Sequence, residues 1–416
     1  MQRNRQVLDT AGASAAAAVA CLALIVPAEN GCGSAGSALQ TTLLTITVPR
    51  ATAAGAVVAV LAAVCVSIFS PRVAWGTAAV AALLLTTDHL LVAATPSSLT
   101  TANFVDSISA GVLLGAAGAA ALEYRPPAIG YLAGALTGLA VGNHLEFSAT
   151  DQSSRSILER AFNDLPPNWL SIPTIGLLAV CCLIRRRPVE AYPTTLNLPF
   201  GPVLAAAIVI TTITVVSERL EPAGAGAAAI VAGVLATLAA AVLAALLMPG
   251  RDGTLILLAV ALAGTGSAIA VGAQAHWKLV PMLIAVLAGL AAGLLRPVPA
   301  AAIGGALALG LFALLGPTVP QDDSWPTLIG SCAIAALAGY GFGAFRTRTA
   351  PGIVLPLGIL LLPSAVLTLE YHSCATASVR TENITGNRTG WAGLALAVGS
   401  VLAILALRRR RSEPGT

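Results

Sequence analysis

Apolar runs of alanine, glycine, leucine and valine recur about every 20 to 30 residues from Thr10 to Leu407, each stopped by a short polar, glycine or proline break. The runs are continuous rather than alternating, which predicts helices and not barrel strands. Many reach or approach the roughly 20 residues that a helix needs to cross a hydrocarbon layer. The pattern therefore predicts an all-α polytopic membrane protein. Spans are expected near residues 10–27, 51–69, 74–94, 108–123, 128–145, 169–184, 200–217, 224–248, 254–273, 279–295, 300–316, 327–345, 351–369 and 390–407, fourteen in all. Because some are short, counts of twelve or thirteen compete with fourteen. The first run follows Arg3 and Arg5 and is expected to stay as an uncleaved span rather than leave as a signal peptide.

The breaks carry independent information. Alternate ones hold Arg72, Arg125, Arg185 to Arg187, Arg251, Arg296, and Arg346 with Arg348, and the two ends hold Arg3, Arg5 and Arg408 to Arg411. Such alternation predicts that these breaks and both termini face the cytoplasm. It also favours an even span count, since one missed span would break the alternation. Four of the arginine breaks, "SPR", "EYRPP", "PGRDG" and "RPVP", are short turns in which proline and glycine stop one helix and start the next. The outer breaks at 28–50, 146–168 and 370–389 are longer, and 151–169 has the spacing of a short amphipathic helix, either lying on the outer leaflet or capping the bundle.

Composition narrows the class. At 57% hydrophobic and 10% charged residues, a soluble chain is excluded, and no basic or aromatic-basic surface suggests nucleic acid. The alanine, glycine and arginine bias fits a high-GC actinobacterial plasma-membrane protein. The seven cysteines follow no metal-ligand spacing, and neither a metal nor a cofactor is expected. Cys32 and Cys374 both fall on the outer side, which makes a disulfide between the first and last hairpins a candidate.

Candidate chemistry collects at one end of the spans. Asp88 with His89, His144 with Glu146, His276 beside Trp277 and Lys278, Asp322 with Asp323, and Glu370 with His372 all fall at or near outer ends, and these include all four histidines. Any one of them is accounted for by the water boundary alone. Asp88 and His89 differ, because "LLLTTDHLLVAAT" keeps apolar residues on both sides, where a charge is costly unless it faces a cavity or a partner. Asp88, His89, His144 and Glu146 are therefore candidates for proton coupling or gating, while His276, Asp322, Glu370 and His372 are outer-face candidates. No HExxH spacing or activated nucleophile points to an enzyme. Small-residue stretches at 111–121, 130–142, 285–295 and 339–345 predict close helix packing. The nearly charge-free spans argue against a permanently wet ion pore.

Fourteen spans, inside termini, short inner turns and a longer inner linker resemble the major facilitator superfamily, in its variant with two six-helix bundles and two additional spans. The turn between the second and third spans, Phe69 to Gly76, keeps the basic residue and glycine of that family's motif in Arg72 and Gly76, without its acid. The resemblance implies a first bundle at 1–184, a cytoplasmic linker at 185–199, an additional helix pair at 200–248, a second bundle at 249–407 and a basic cytoplasmic tail at 408–416. It implies a secondary transporter working by alternating access with possible proton coupling. Context adds membrane lipids as partners and a lipid-like or glycolipid cell-envelope cargo. Two other classes stay open. One is a noncatalytic scaffold with an envelope protein partner. The other is a polyprenyl-phosphate-dependent glycosyltransferase, whose first outer loop here offers only Glu29 as a catalytic acid.

Overall fold

In the arginine-bearing turns, proline sets where each helix begins. Pro71 opens one helix directly after Ser70, whose carbonyl accepts from the Val73 and Ala74 amides at 2.9 and 3.2 Å. At the first helical position proline loses nothing, because its missing N–H would have had no intrahelical acceptor. Pro299 does the same after Arg296–Val298, a turn further held by Tyr340: its hydroxyl donates to the Arg296 carbonyl at 2.9 Å and accepts from the Val298 amide at 3.2 Å.

The computed structural model describes residues 2–25, 38–94, 99–148, 166–184, 200–220, 226–248, 252–269, 278–315, 325–345, 349–372 and 388–412. Among them run fourteen helices. The first eight are α1 (Gln2–Ile25), α2 (Ala38–Val66), α3 (Pro71–Ala94), α4 (Leu99–Ala121), α5 (Arg125–Ser148), α6 (Asn168–Ile184), α7 (Phe200–Leu220) and α8 (Ala227–Leu247). The remaining six are α9 (Asp252–Ile269), α10 (Leu279–Leu295), α11 (Pro299–Leu315), α12 (Trp325–Ala344), α13 (Ala350–His372) and α14 (Arg388–Ser412). Among the described residues, nine of these hold an apolar stretch long enough to cross a membrane, and α6, α10, α11 and Ala350–Leu362 of α13 are apolar but shorter. The protein is thus an all-α, multi-pass membrane protein. Its two ends are named here by their chemistry: the arginine end, with the turns just described, and the acidic end opposite.

Several helices reach further toward the acidic end than hydropathy predicts. Helix α2 begins at Ala38 rather than near 51 and carries Pro49 inside it, and α4 begins at Leu99 rather than near 108. Polar residues lower the hydropathy of the first turns of α4, yet Asn103, Asp106, Ser107 and Ser109 are buried there against neighbouring helices. At the other extreme, α14 runs on to Ser412 and includes Arg408 to Arg411.

Packing repeats between the first six and last six helices. In the first set α1 packs on α4, α5 and α6, α2 on α4, and α3 on α4 and α6. In the second set α9 packs on α12, α13 and α14, α10 on α12, and α11 on α12 and α14, the same pattern at the same relative positions. The sets meet chiefly where α2 crosses α13 and α5 crosses α10. Between them in sequence, α7 and α8 pair with each other; α7 also lies on α2 and α13, and α8 on α9 and α14.

Small residues make the tight crossings. A Cβ on Gly111 of α4 would run into the Gly55 carbonyl of α2, and one on Gly289 of α10 would run into the Ala336 carbonyl of α12, so the equivalent crossings of both sets depend on glycine. Helix α8 turns Gly233, Ala240, Ala241, Ala244 and Ala245 inward and leaves Val231, Leu235 and Leu243 exposed. Large side chains outside and small ones inside are what a lipid-facing helix requires, because contact with lipid tails costs leucine nothing. Tyr131 of α5, fully buried, donates to the Leu114 carbonyl of α4 at 3.0 Å. Tyr131→Phe should cost about 1 kcal/mol and no more, because that carbonyl keeps its helical donor; thermal unfolding in detergent measures it.

Candidate functional site

Helices α3 and α4 are consecutive and pack against each other antiparallel. Residues at equal sequence distance from the midpoint between two such helices lie at one level, and Asp88 and Asp106 are each nine positions from position 97. Their carboxyl groups are close enough to interact. Asp106 is buried and Asp88 half-buried. Asp88 Oδ2 and Asp106 Oδ1 are shielded and have no hydrogen-bond partner among the described residues.

Two ionised carboxylates are acceptors only, so they bond each other only when one carries a proton. Leaving two charges side by side at this depth would cost both desolvation and repulsion, and one shared proton would relieve both costs. The threonines before it stay out of the way: Thr86 Oγ1 donates to the Ala82 carbonyl at 2.8 Å and Thr87 Oγ1 to the Leu83 carbonyl at 2.9 Å, each back along its own helix.

Around the pair the acidic end of the first six helices is polar in one layer. Thr52 Oγ1 of α2 donates to the Leu24 carbonyl of α1 at 3.0 Å. A Cβ on Gly55 would meet both the Ser107 carbonyl and the Leu24 side chain, and one on Gly142 of α5 would meet Ile25. Ser107 is adjacent to Asp106 and His144 lies two positions beyond Gly142, which puts Asp106 and His144 in this layer. His144 is 2% exposed, far more enclosed than a boundary histidine. His89 is half-buried and points about 100° around α3 from Asp88, so the two do not present one surface to α4.

The other sequence candidates fall elsewhere. Glu146 lies on the last turns of α5, and Glu370 and His372 at the end of α13; their side chains are outside the described set. His276, Asp322, Cys32 and Cys374 lie outside the described residues. The cysteines Cys21, Cys65, Cys181, Cys182 and Cys332 are free. Among the described residues no group of three or more His, Cys, Asp or Glu side chains could hold a metal ion. In the second half, Lys278 is buried at the acidic end of α10 with its Nζ 3.3 Å from Thr327 Oγ1 of α12.

Hydropathy alone assigns Asp106 to an outer connection, and this is what hides the pair. The signal that finds it is helix register: once α3 and α4 pack antiparallel about position 97, Asp88 has one equidistant partner, and it is an acid.

No family model matches the chain, and no curated protein matches it. Among solved structures, the xylose transporter XylE from E. coli in a partially occluded inward-open conformation is similar, with 12% identity and a TM-score of 0.52 over 99% of this chain and 98% of that one. The outward-facing Major Facilitator Superfamily transporter FucP aligns with 14% identity and a TM-score of 0.47 over 98% of this chain and 99% of that one. An auto-inhibited POT family peptide transporter aligns with 13% identity and a TM-score of 0.47 over 99% and 98%. At such identities the XylE likeness is one of fold. With its repeated six-helix packing, the chain shares the polytopic helical fold of XylE.

Proposed function

We propose that the chain is a proton-coupled secondary transporter of a hydrophobic or amphiphilic cell-envelope compound. The observation that carries this reading is the Asp88–Asp106 carboxyl pair, set inside a bundle that shares the fold of XylE. Residues 1–184 and 249–407 act as the two bundles that rock against each other, with 185–199 as the cytoplasmic linker and 200–248 as the additional pair. The arginine end faces the cytoplasm, as the positive-inside bias favours. When the acidic end opens, water reaches the pair and its proton exchanges; His144 and Glu146, on the same stretch of α5, set the local charge. When that end closes, an unprotonated pair is costly, so the protonation state selects the conformation.

Cargo class is proposed from the composition of the helices. Their buried residues are mostly alanine, leucine, valine and isoleucine, with few fixed charges. A path opened between helices of this composition suits a molecule with a hydrocarbon portion and offers little to a fully hydrated sugar or ion. A tenfold proton gradient supplies about 1.4 kcal/mol per proton to move it.

The test uses proteoliposomes and a short-chain phospholipid carrying a fluorescent nitrobenzoxadiazole group. Its translocation should exceed that of empty vesicles and should scale with an imposed pH gradient. Translocation that ignores the gradient removes the coupling. No translocation, together with sugar transfer from a polyprenyl-phosphate donor, indicates the enzyme instead; neither activity, with a copurifying envelope protein, indicates a scaffold.

A further inference from the structure

The additional helices α7 and α8 lie across the division between the two six-helix sets. Helix α8 is interlocked with the second set: a Cβ on Gly253 of α9 would run into the Ala245 carbonyl, and one on Gly399 of α14 would meet the Leu238 side chain. Helix α7 continues the main seam, since a Cβ on Gly358 of α13 would meet both Ala56 of α2 and Ile210 of α7, at 3.2 and 3.8 Å. The α2–α7 contact is thus a boundary between the first set and everything carried with the second.

One ion pair among the described residues crosses that boundary, at its acidic end. Arg50 Nε donates to Glu218 Oε1 at 2.8 Å and Nη2 to Oε2 at 3.0 Å, a two-pronged fit. Arg50 lies at the acidic end, and its side chain is 56% exposed against 23% for Glu218. A fork of this shape is directional, while its exposure keeps it weak enough to break.

We propose that Arg50 and Glu218 form a conformation-dependent latch. The pair closes when the acidic ends of the two sets come together and parts when they separate, with α7 and α8 travelling with the second set. The latch rests on the alternating-access reading above, and it adds a role for the additional helices: they give the second set a charged hand with which to grip α2. A static clamp fixing α7 to the first set is the competing arrangement.

The test places spin labels at Leu90→Cys on α3 and Ala228→Cys on α8, both exposed near the acidic end, in a chain whose native cysteines are replaced by alanine. Distances are read by double electron–electron resonance in lipid nanodiscs. The parent should show a short and a long distance. Arg50→Gln and Glu218→Gln should each raise the long-to-short ratio by about three- to tenfold, the range expected for an exposed forked ion pair. The exchanged pair Arg50→Glu with Glu218→Arg should bring the ratio back toward the parent. Two distances whose ratio neither neutralisation changes overturn the latch and leave alternating access standing. A single distance in the parent and in both variants overturns the two together. In unlabelled protein with Arg50→Cys and Glu218→Cys, a disulfide should halt phospholipid translocation until it is reduced; full translocation with the bond intact also rejects the latch.

Discussion

Asp106→Asn should reduce the charge displaced by a pH jump to about a tenth of the wild-type signal or less, because the pair then lacks one of its two ionisable groups. The measurement is made on proteoliposomes adsorbed to a solid-supported membrane, and needs no cargo. An amide cannot ionise, but its NH2 still donates to Asp88, so the variant keeps the contact and loses the exchangeable proton. Asp88→Asn should behave alike, because the proton belongs to the pair rather than to either residue. Asp106→Glu should keep a signal. Both Asn variants should unfold at or above the wild-type temperature, since each replaces a carboxyl pair by a neutral donor on a carboxylate. Full-sized displacement from both Asn variants rejects the pair as the coupling unit; small displacement with collapsed stability assigns it to structure.

Gly111→Leu should abolish accumulation of folded protein, and Gly111→Ala should destabilise by roughly 1–3 kcal/mol, the range for forcing atoms into a filled interior. The methyl group has no room to move aside, because the atom it meets is the Gly55 backbone carbonyl rather than the tip of a side chain. Gly289→Ala should cost a similar amount at the equivalent crossing of α10 and α12. Gly304→Ala supplies the contrast: nothing lies within 4 Å of its added carbon, so the variant should be neutral or slightly stabilising, by about 0.4–1 kcal/mol. Thermal unfolding followed by tryptophan fluorescence separates the cases. Equal losses at Gly111 and Gly304 would reject the crossing as the source of the cost.

The arginine end was readable in the chain because its chemistry is local. "SPR", "EYRPP" and "RPVP" pair a proline that begins a helix with an arginine that marks a side, and the structure turns at each. The acidic end was less readable because its chemistry is not local. Asn103, Asp106, Ser107 and Ser109 lower the hydropathy of α4 until it resembles a loop, and only the neighbouring helices make burial of those groups tolerable. The same cause hid the partner of Asp88, since the two acids lie on separate helices and meet only through the register in which α3 packs on α4. The short glycine stretches were legible as packing surfaces but not as matched ones; that Gly111 and Gly289 occupy equivalent crossings depends on a repeat of packing with no visible repeat of sequence.

Lys278, buried between α10 and α12, is the chain's one lysine. Reagents that attack amines therefore have a single internal target, at 1% exposure. The protein carries its own one-site clock: the rate at which that amine is modified measures how often the packing of α10 on α12 at the acidic end admits water, with no engineered label and no knowledge of the cargo.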